Sequence, residues 1–236
     1  MQQGTQAILN SINLITLAEM DSVKLMNRMD TKCVFSVDLL NEILAKCGND
    51  YRVLHHAGTN WGEGFCLLND QAIAANYLLA NNLSKSILII DLDVHQGNGT
   101  ARIFENEPRV FTFSMHGDKN FPFRKEQSDL DIPLPDGIDD EEYLALLKDT
   151  LPGLINTHQP DFVFYLSGVD ILESDKLGKL SLSKEACKER DRFVFEQCRS
   201  RGIPVQVSMG GGYSPQIKDI VEAHCNTYRV ANDLYF

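Results

Sequence analysis

Short, largely apolar runs separated by longer amphipathic stretches constrain this chain more than any other feature. Ser86–Asp91 (SILIID), Val110–Met115 (VFTFSM), Phe162–Leu166 (FVFYL) and Ile203–Val207 (IPVQV) are each bounded by polar residues. The first is continuous and the others look similar, as expected of strands buried on both faces. Between them, amphipathic spacing predicts helices near residues 70–82, 140–157, 183–201 and 214–226. Ser183 is placed to cap the third helix, and Pro215 to open the fourth at its first position. Strand–helix alternation of this kind defines an α/β domain with a mainly parallel sheet and helices on both faces. At 236 residues and 43% hydrophobic, the chain can bury a core of that size.

Open parallel sheets gather function at the carboxyl ends of their strands, and the chemically unusual residues fall there. SILIID runs into Asp91-Leu-Asp93-Val-His95-Gln-Gly-Asn98-Gly99. VFTFSM ends at His116, FVFYL leads to Ser167-Gly-Val-Asp170, and the last strand leads to Gly210-Gly-Gly-Tyr213. On an extended segment, Asp93 and His95 point to the same side. With Asp170 they would form a three-ligand O/N/O site with a position left open, as a catalytic divalent metal requires. The plainer alternative makes Asp93 a helix cap and His95 a loop histidine. A second cluster, His55-His56 followed by WGEGFC, lies upstream. Tyr213 follows three glycines, which would let a phenol approach a bound carbonyl.

Charge narrows the partners. Lys plus Arg total 22 against 33 for Asp plus Glu, a formal net charge of −11. That balance argues against nucleic acid or an anionic membrane surface and favours a basic partner. Residues 126–142 (EQSDLDIPLPDGIDDEE) hold eight carboxylates and no Lys or Arg. They read either as a solvated loop with a carboxylate-rich helix start or as a rim that attracts lysine-rich tails. No apolar run approaches the roughly 18 residues that span a bilayer. The first residues lack the basic start of a secretory signal. The six cysteines (Cys33, Cys47, Cys66, Cys187, Cys198, Cys225) form no CxxC pair. Reduced thiols in an intracellular, cytoplasmic or nuclear, protein are the expectation.

The motifs HHAGTNWGEGFCLLND, IDLDVHQGNGTA, FSMHGDKNFPFRKE, YLSGVDILESDKLGKLSLS and VSMGGGYS, in this order, resemble those of zinc-dependent histone deacetylases of the arginase–deacetylase fold. The class IV and bacterial acetoin-utilisation types are the most similar. The resemblance covers residues 55–236 and implies a three-layer α/β domain with the N-terminal part of the fold missing or replaced. It implies Asp93, His95 and Asp170 as zinc ligands, His55 and His56 as the paired active-site histidines, and Tyr213 as the carbonyl-polarising phenol. It further implies Phe65 and Phe121 as walls of an acyl-lysine tunnel, and Asp91 and Ser114 as part of a structural potassium site. Asn98 would stand behind His56 where class I members carry an aspartate, and an uncharged partner leaves that imidazole less basic. The implied activity is hydrolysis of acetyl-lysine amides in proteins, with a link to chromatin. An inert metal- or partner-binding version and a deacetylase of small acetylated amines such as polyamines remain alternatives.

Upstream, LMNRMDTKCVFSVDLLNEILAKCGNDYRVL resembles the opening of a vacuolar-transporter-chaperone polyphosphate-polymerase domain, in which Arg28 and Lys32 would contact phosphate. The expected organisation is therefore an unrelated or replaced segment over 1–54 and a truncated deacetylase-like domain over 55–236. A truncated sheet would leave an edge open to association with another chain.

Overall fold

The computed structural model describes residues 69–236. The elements run α1 (Asp70–Ala80), β1 (Ile87–Asp91), α2 (Asn98–Phe104), β2 (Val110–Gly117), β3 (Leu130–Leu134), α3 (Asp140–His158), β4 (Phe162–Gly168), α4 (Lys184–Arg199), β5 (Val205–Gly210) and α5 (Ile217–Tyr235). The strands form one parallel sheet in the order β3-β2-β1-β4-β5.

The continuous apolar run of β1 is explained by two cores, one on each face of the sheet. Leu88 and Ile90 join Val163 and Tyr165 of β4 in the larger core, closed by Leu147 and Leu151 of α3, Val194 and Phe195 of α4, and Ala223 and Val230 of α5. Ile87 and Ile89 point the other way, packing with Phe164 against Ala72, Ala75 and Leu79 of α1 and Phe104 of α2. Successive residues of a strand face opposite sides, so both sets must be apolar.

Local chemistry sets the helix ends. The Asn69 side chain accepts from the Ala72 amide at 2.9 Å, Asp139 from Glu142 at 3.0 Å and Ser183 from Ala186 at 3.0 Å. The cap expected at Ser183 is thus present. The fourth expected helix begins later than Pro215 suggests: α5 starts at Ile217 behind Gln216. Two short elements, α2 and β3, carry no clear apolar period. β3 lies within the acidic run and contains Pro133; it is the outermost strand on its side among the described residues, where a position that donates no ladder amide tolerates proline.

The acidic run has structural work within the described residues. Asp129 accepts from the Thr112 amide and hydroxyl, both at 2.8 Å. Asp131 accepts from Ser128 at 2.8 Å and Gln96 at 2.9 Å, while Asp140 accepts from the Ser183 amide and hydroxyl at 2.8 and 2.6 Å. With Asp139 capping α3, half of the eight carboxylates hold loops and helix starts, leaving fewer to attract a basic tail.

Candidate active site

The strand order reverses between β1 and β4: β2 and β3 build outward on one side of β1, and the chain then crosses back to add β4 and β5 on the other. A crevice opens at such a switch point, outside the carboxyl ends of the two central strands. Asp93 and His95 follow β1, and Asp170 follows β4.

The segment after Asp91 bends rather than continuing extended. Asp93 and His95 converge for a different reason than their spacing suggests. Asp91 Oδ1 accepts from the Asp93 amide at 3.1 Å, and Asp93 Oδ1 accepts from the His95 amide at 2.9 Å. Asp170 Oδ1 accepts from the Val94 amide at 3.0 Å, tying the β4 loop to the β1 loop. His95 Nδ1 then lies 3.0 Å from Asp93 Oδ1 and 3.1 Å from Asp170 Oδ2. The three side chains offer ligand atoms that all lie within 4.8 Å of one another.

Electrostatics favours a cation here. Asp170 is fully buried and Asp93 is 8% exposed. Burial, reinforced by the Asp93 charge, raises the Asp170 carboxyl to about 7. Burial opposes a charged His95, but its bonds to Asp170 and Asp93 outweigh that and raise the ring to about 10. Two carboxylates in so little solvent demand a compensating positive charge, which either a protonated His95 or a bound cation supplies. Two oxygens and one imidazole nitrogen on converging loops are a donor set that fits a divalent ion with an open coordination position.

Close backbone approach depends on glycine at two points. A Cβ on Gly168 would meet the Asp93 Cα at 2.5 Å, and one on Gly211 would meet Asp170 Oδ2 at 2.1 Å. Gly211 also has φ +61°, a conformation that glycine adopts without strain. The Gly210-Gly-Gly212 loop therefore lies directly against the Asp170 carboxylate, and Tyr213 follows it in the chain. The Tyr213 amide donates to Asp175 Oδ2 at 2.5 Å, and Asp175 Oδ1 accepts from Leu177 and Gly178 at 2.8 and 2.7 Å. One aspartate thus fastens the tyrosine loop to the loop after Asp170.

The other expected residues divide by position. Asp91 and Ser114 face one another across the β1–β2 register and line a small cavity with Gly97, Thr100, Thr112 and Ser128. Burial, and next the neighbouring Asp93 charge, pushes the Asp91 carboxyl well above its usual range. Ser114 Oγ lies 2.9 Å from His116 Nδ1. Asn98 is buried at the first position of α2, its side-chain oxygen accepting from the Gly99 amide at 2.9 Å. Phe121 packs edge-on against the exposed Phe123 with ring centroids 6.1 Å apart. The nearby backbone is pinned by Lys125, which donates to Asn120 and Pro122 carbonyls, both at 2.7 Å. His55, His56 and Phe65 lie outside the described residues, as do Arg28 and Lys32.

Three residues near the site went unread in the sequence: Asp175, Arg190 and Asp191. The last two had a visible signal. They occupy the inward face of α4, between Cys187 and Val194, where helical spacing calls for apolar side chains.

The Histone deacetylase domain family matches residues 21–228, a span that begins upstream of His55. An uncharacterized protein of Picosynechococcus is 48% identical over 181 residues, covering 77% of this chain and 60% of the relative. Histone deacetylase 2 of Arabidopsis thaliana is 32% identical over 67% of this chain and 42% of its own length. Histone deacetylase B of Dictyostelium discoideum is 34% identical over 75% of this chain and 43% of its own. Among solved structures, the crystal structure of the HDA15 HD domain superposes with a TM-score of 0.64 at 26% identity, covering 82% of this chain and 60% of that one. The chain belongs to the histone deacetylase family, and it spans about two-fifths to three-fifths of the length of these relatives.

Proposed function

We propose that the chain is a zinc-dependent lysine deacetylase, hydrolysing the acetyl amide of acetyl-lysine in proteins or peptides. The observation that carries this reading is the convergence of Asp93, His95 and Asp170 within 4.8 Å at the sheet's switch point, in a chain of this family. These three side chains would hold the zinc, which supplies Lewis acidity toward the carbonyl and a more acidic bound water. Tyr213, which follows the glycine loop, would donate a hydrogen bond from its phenol to the substrate carbonyl oxygen and stabilise the charge that develops there. His56 is assigned the proton from the attacking water and its delivery to the leaving amine, with His55 tuning that transfer. Asn98 is assigned to orient His56. Phe65 and Phe121 would flank the aliphatic stem of the substrate lysine. Asp91 and Ser114 would help bind a potassium ion behind the zinc, balancing the buried Asp91 charge.

The test is turnover by the purified full chain of an acetyl-lysine peptide beside an acetylated polyamine, with metal content measured on the same sample. Faster peptide hydrolysis, lost on chelation and restored by zinc, supports the reading. Preference for the polyamine would move the substrate class to small amines. Metal binding without hydrolysis of either would leave a binding module.

A further inference from the structure

Charged side chains seldom lie wholly inside a core, and when they do they are matched. Arg190 and Asp191 of α4 are both fully buried, with Arg190 Nη2 2.7 Å from Asp191 Oδ1. Asp191 is itself held by the Tyr165 hydroxyl at 2.5 Å and the Thr227 hydroxyl at 2.6 Å. It also accepts from Arg190 Nε at 2.9 Å, so the plane of the guanidinium is fixed. The rest of the fork reaches the candidate metal centre from behind. Nη1 donates to the Leu92 carbonyl at 3.1 Å and the Gly168 carbonyl at 2.6 Å, and Nη2 to Ser167 Oγ at 3.1 Å.

Those two carbonyls occupy telling positions. Leu92 lies between Asp91 and Asp93, and Gly168 is two residues before Asp170. The neighbouring ladder contact is the Leu92 amide on the Leu166 carbonyl at 3.1 Å. A single planar cation therefore bridges the two segments that carry the metal ligands, across the seam where the sheet reverses. Apolar residues often replace a buried ion pair without loss of stability, so folding alone gives little reason for this one. Ligand geometry is more demanding, since such a site works within about 0.5 Å.

We propose that Arg190 is a positioning residue for the metal centre: oriented by Asp191, it clamps the Leu92 and Gly168 carbonyls and so sets the distance from Asp93 and His95 to Asp170. The proposal rests on reading those three residues as metal ligands. Lysine keeps the charge of arginine but lacks the planar fork needed to reach both carbonyls and Asp191 together.

The experiment measures, on the full chain, zinc affinity by chelator competition and the visible spectrum of the cobalt-substituted protein, which reports coordination geometry. The variants are Arg190→Lys and Leu151→Ala, the latter a cavity in α3 outside the network. Arg190→Lys is expected to weaken zinc binding by about tenfold or more and to shift the cobalt bands. Leu151→Ala is expected to lower the melting temperature and leave both unchanged. If Arg190→Lys fails to fold, Ser167→Ala removes one bond to the fork, and a smaller shift in the same readouts is expected. Zinc affinity within twofold of wild type and an unaltered cobalt spectrum, in whichever variant folds, would overturn the clamp. Failure of the unsubstituted protein to bind metal would instead overturn the ligand assignment.

Discussion

Gly211→Ala isolates how tightly the glycine loop is fitted to the candidate metal site. Two costs can be worked separately. The backbone there has φ +61°, and holding alanine in that region costs about 1 kcal/mol. The new methyl would sit 2.1 Å from Asp170 Oδ2 and 2.2 Å from its Cγ. Restoring ordinary contact at about 3.5 Å requires a displacement of more than 1 Å between loop and carboxylate. Asp170 has no exposed surface through which to move. Overpacking of this kind adds about 1–3 kcal/mol, for a total of roughly 2–4 kcal/mol. The displacement exceeds the tolerance of a metal site, so zinc affinity should fall by about tenfold or more. Gly202→Ala is the control. It has φ +68°, and nothing lies within 4 Å of the added Cβ. It should cost about 1 kcal/mol and leave zinc binding unchanged. Urea unfolding and chelator competition on both variants separate the effects. Equal stability losses and equal zinc affinities would refute the argument that the loop packs against a metal-bearing Asp170.

Tyr213→Phe should retain metal and fold while peptide turnover drops by about two orders of magnitude, measured as kcat on zinc-loaded protein. Far from the site, Asp161 fastens the start of β4 to the α1–β1 loop through the Lys85 amide at 2.8 Å and the Ser86 amide at 3.3 Å. Burial works against its charge, but the Ser84 hydroxyl and those amides outweigh it and lower its pKa. The wild-type advantage over Asp161→Ala, about 0.5–1 kcal/mol by urea unfolding once its solvent exposure is allowed for, should be complete above the ordinary carboxylate range and close as pH falls through the lowered value. A chain of residues 50–236 should lose both melting temperature and peptide turnover if the preceding segment supports the core; equal values would mark that segment as a passenger.

How much could be read from the sequence varied with how local the signal was. The strands β1, β2 and β4 declare themselves because burial on both faces keeps them largely apolar, as Ile87–Ile90 shows. β5 sits two residues later than IPVQV suggests, with Val163 donating to the Pro204 carbonyl at 3.0 Å just before the strand begins. β3 gives little sequence signal because LDIPL, outermost among the described strands, has no buried alternation. Asp93, His95 and Asp170 were legible as strand-end residues. The bend that joins them was not, because it is made by Asp91 and Asp93 accepting amides two residues further on and by Asp170 accepting one from the neighbouring loop. Asp175 was less visible still: its role depends on a contact 38 residues along the chain, with the Tyr213 amide.

The central claim is that Asp93, His95 and Asp170 hold one catalytic zinc. Metal content by mass spectrometry tests it most directly, on the purified full chain and on Asp170→Ala, with folding of both verified by circular dichroism. The account predicts about one zinc per chain in the unsubstituted protein and a large loss in the variant, since two remaining ligands seldom retain a catalytic metal. A folded Asp170→Ala protein with the same zinc content as the unsubstituted chain would contradict it.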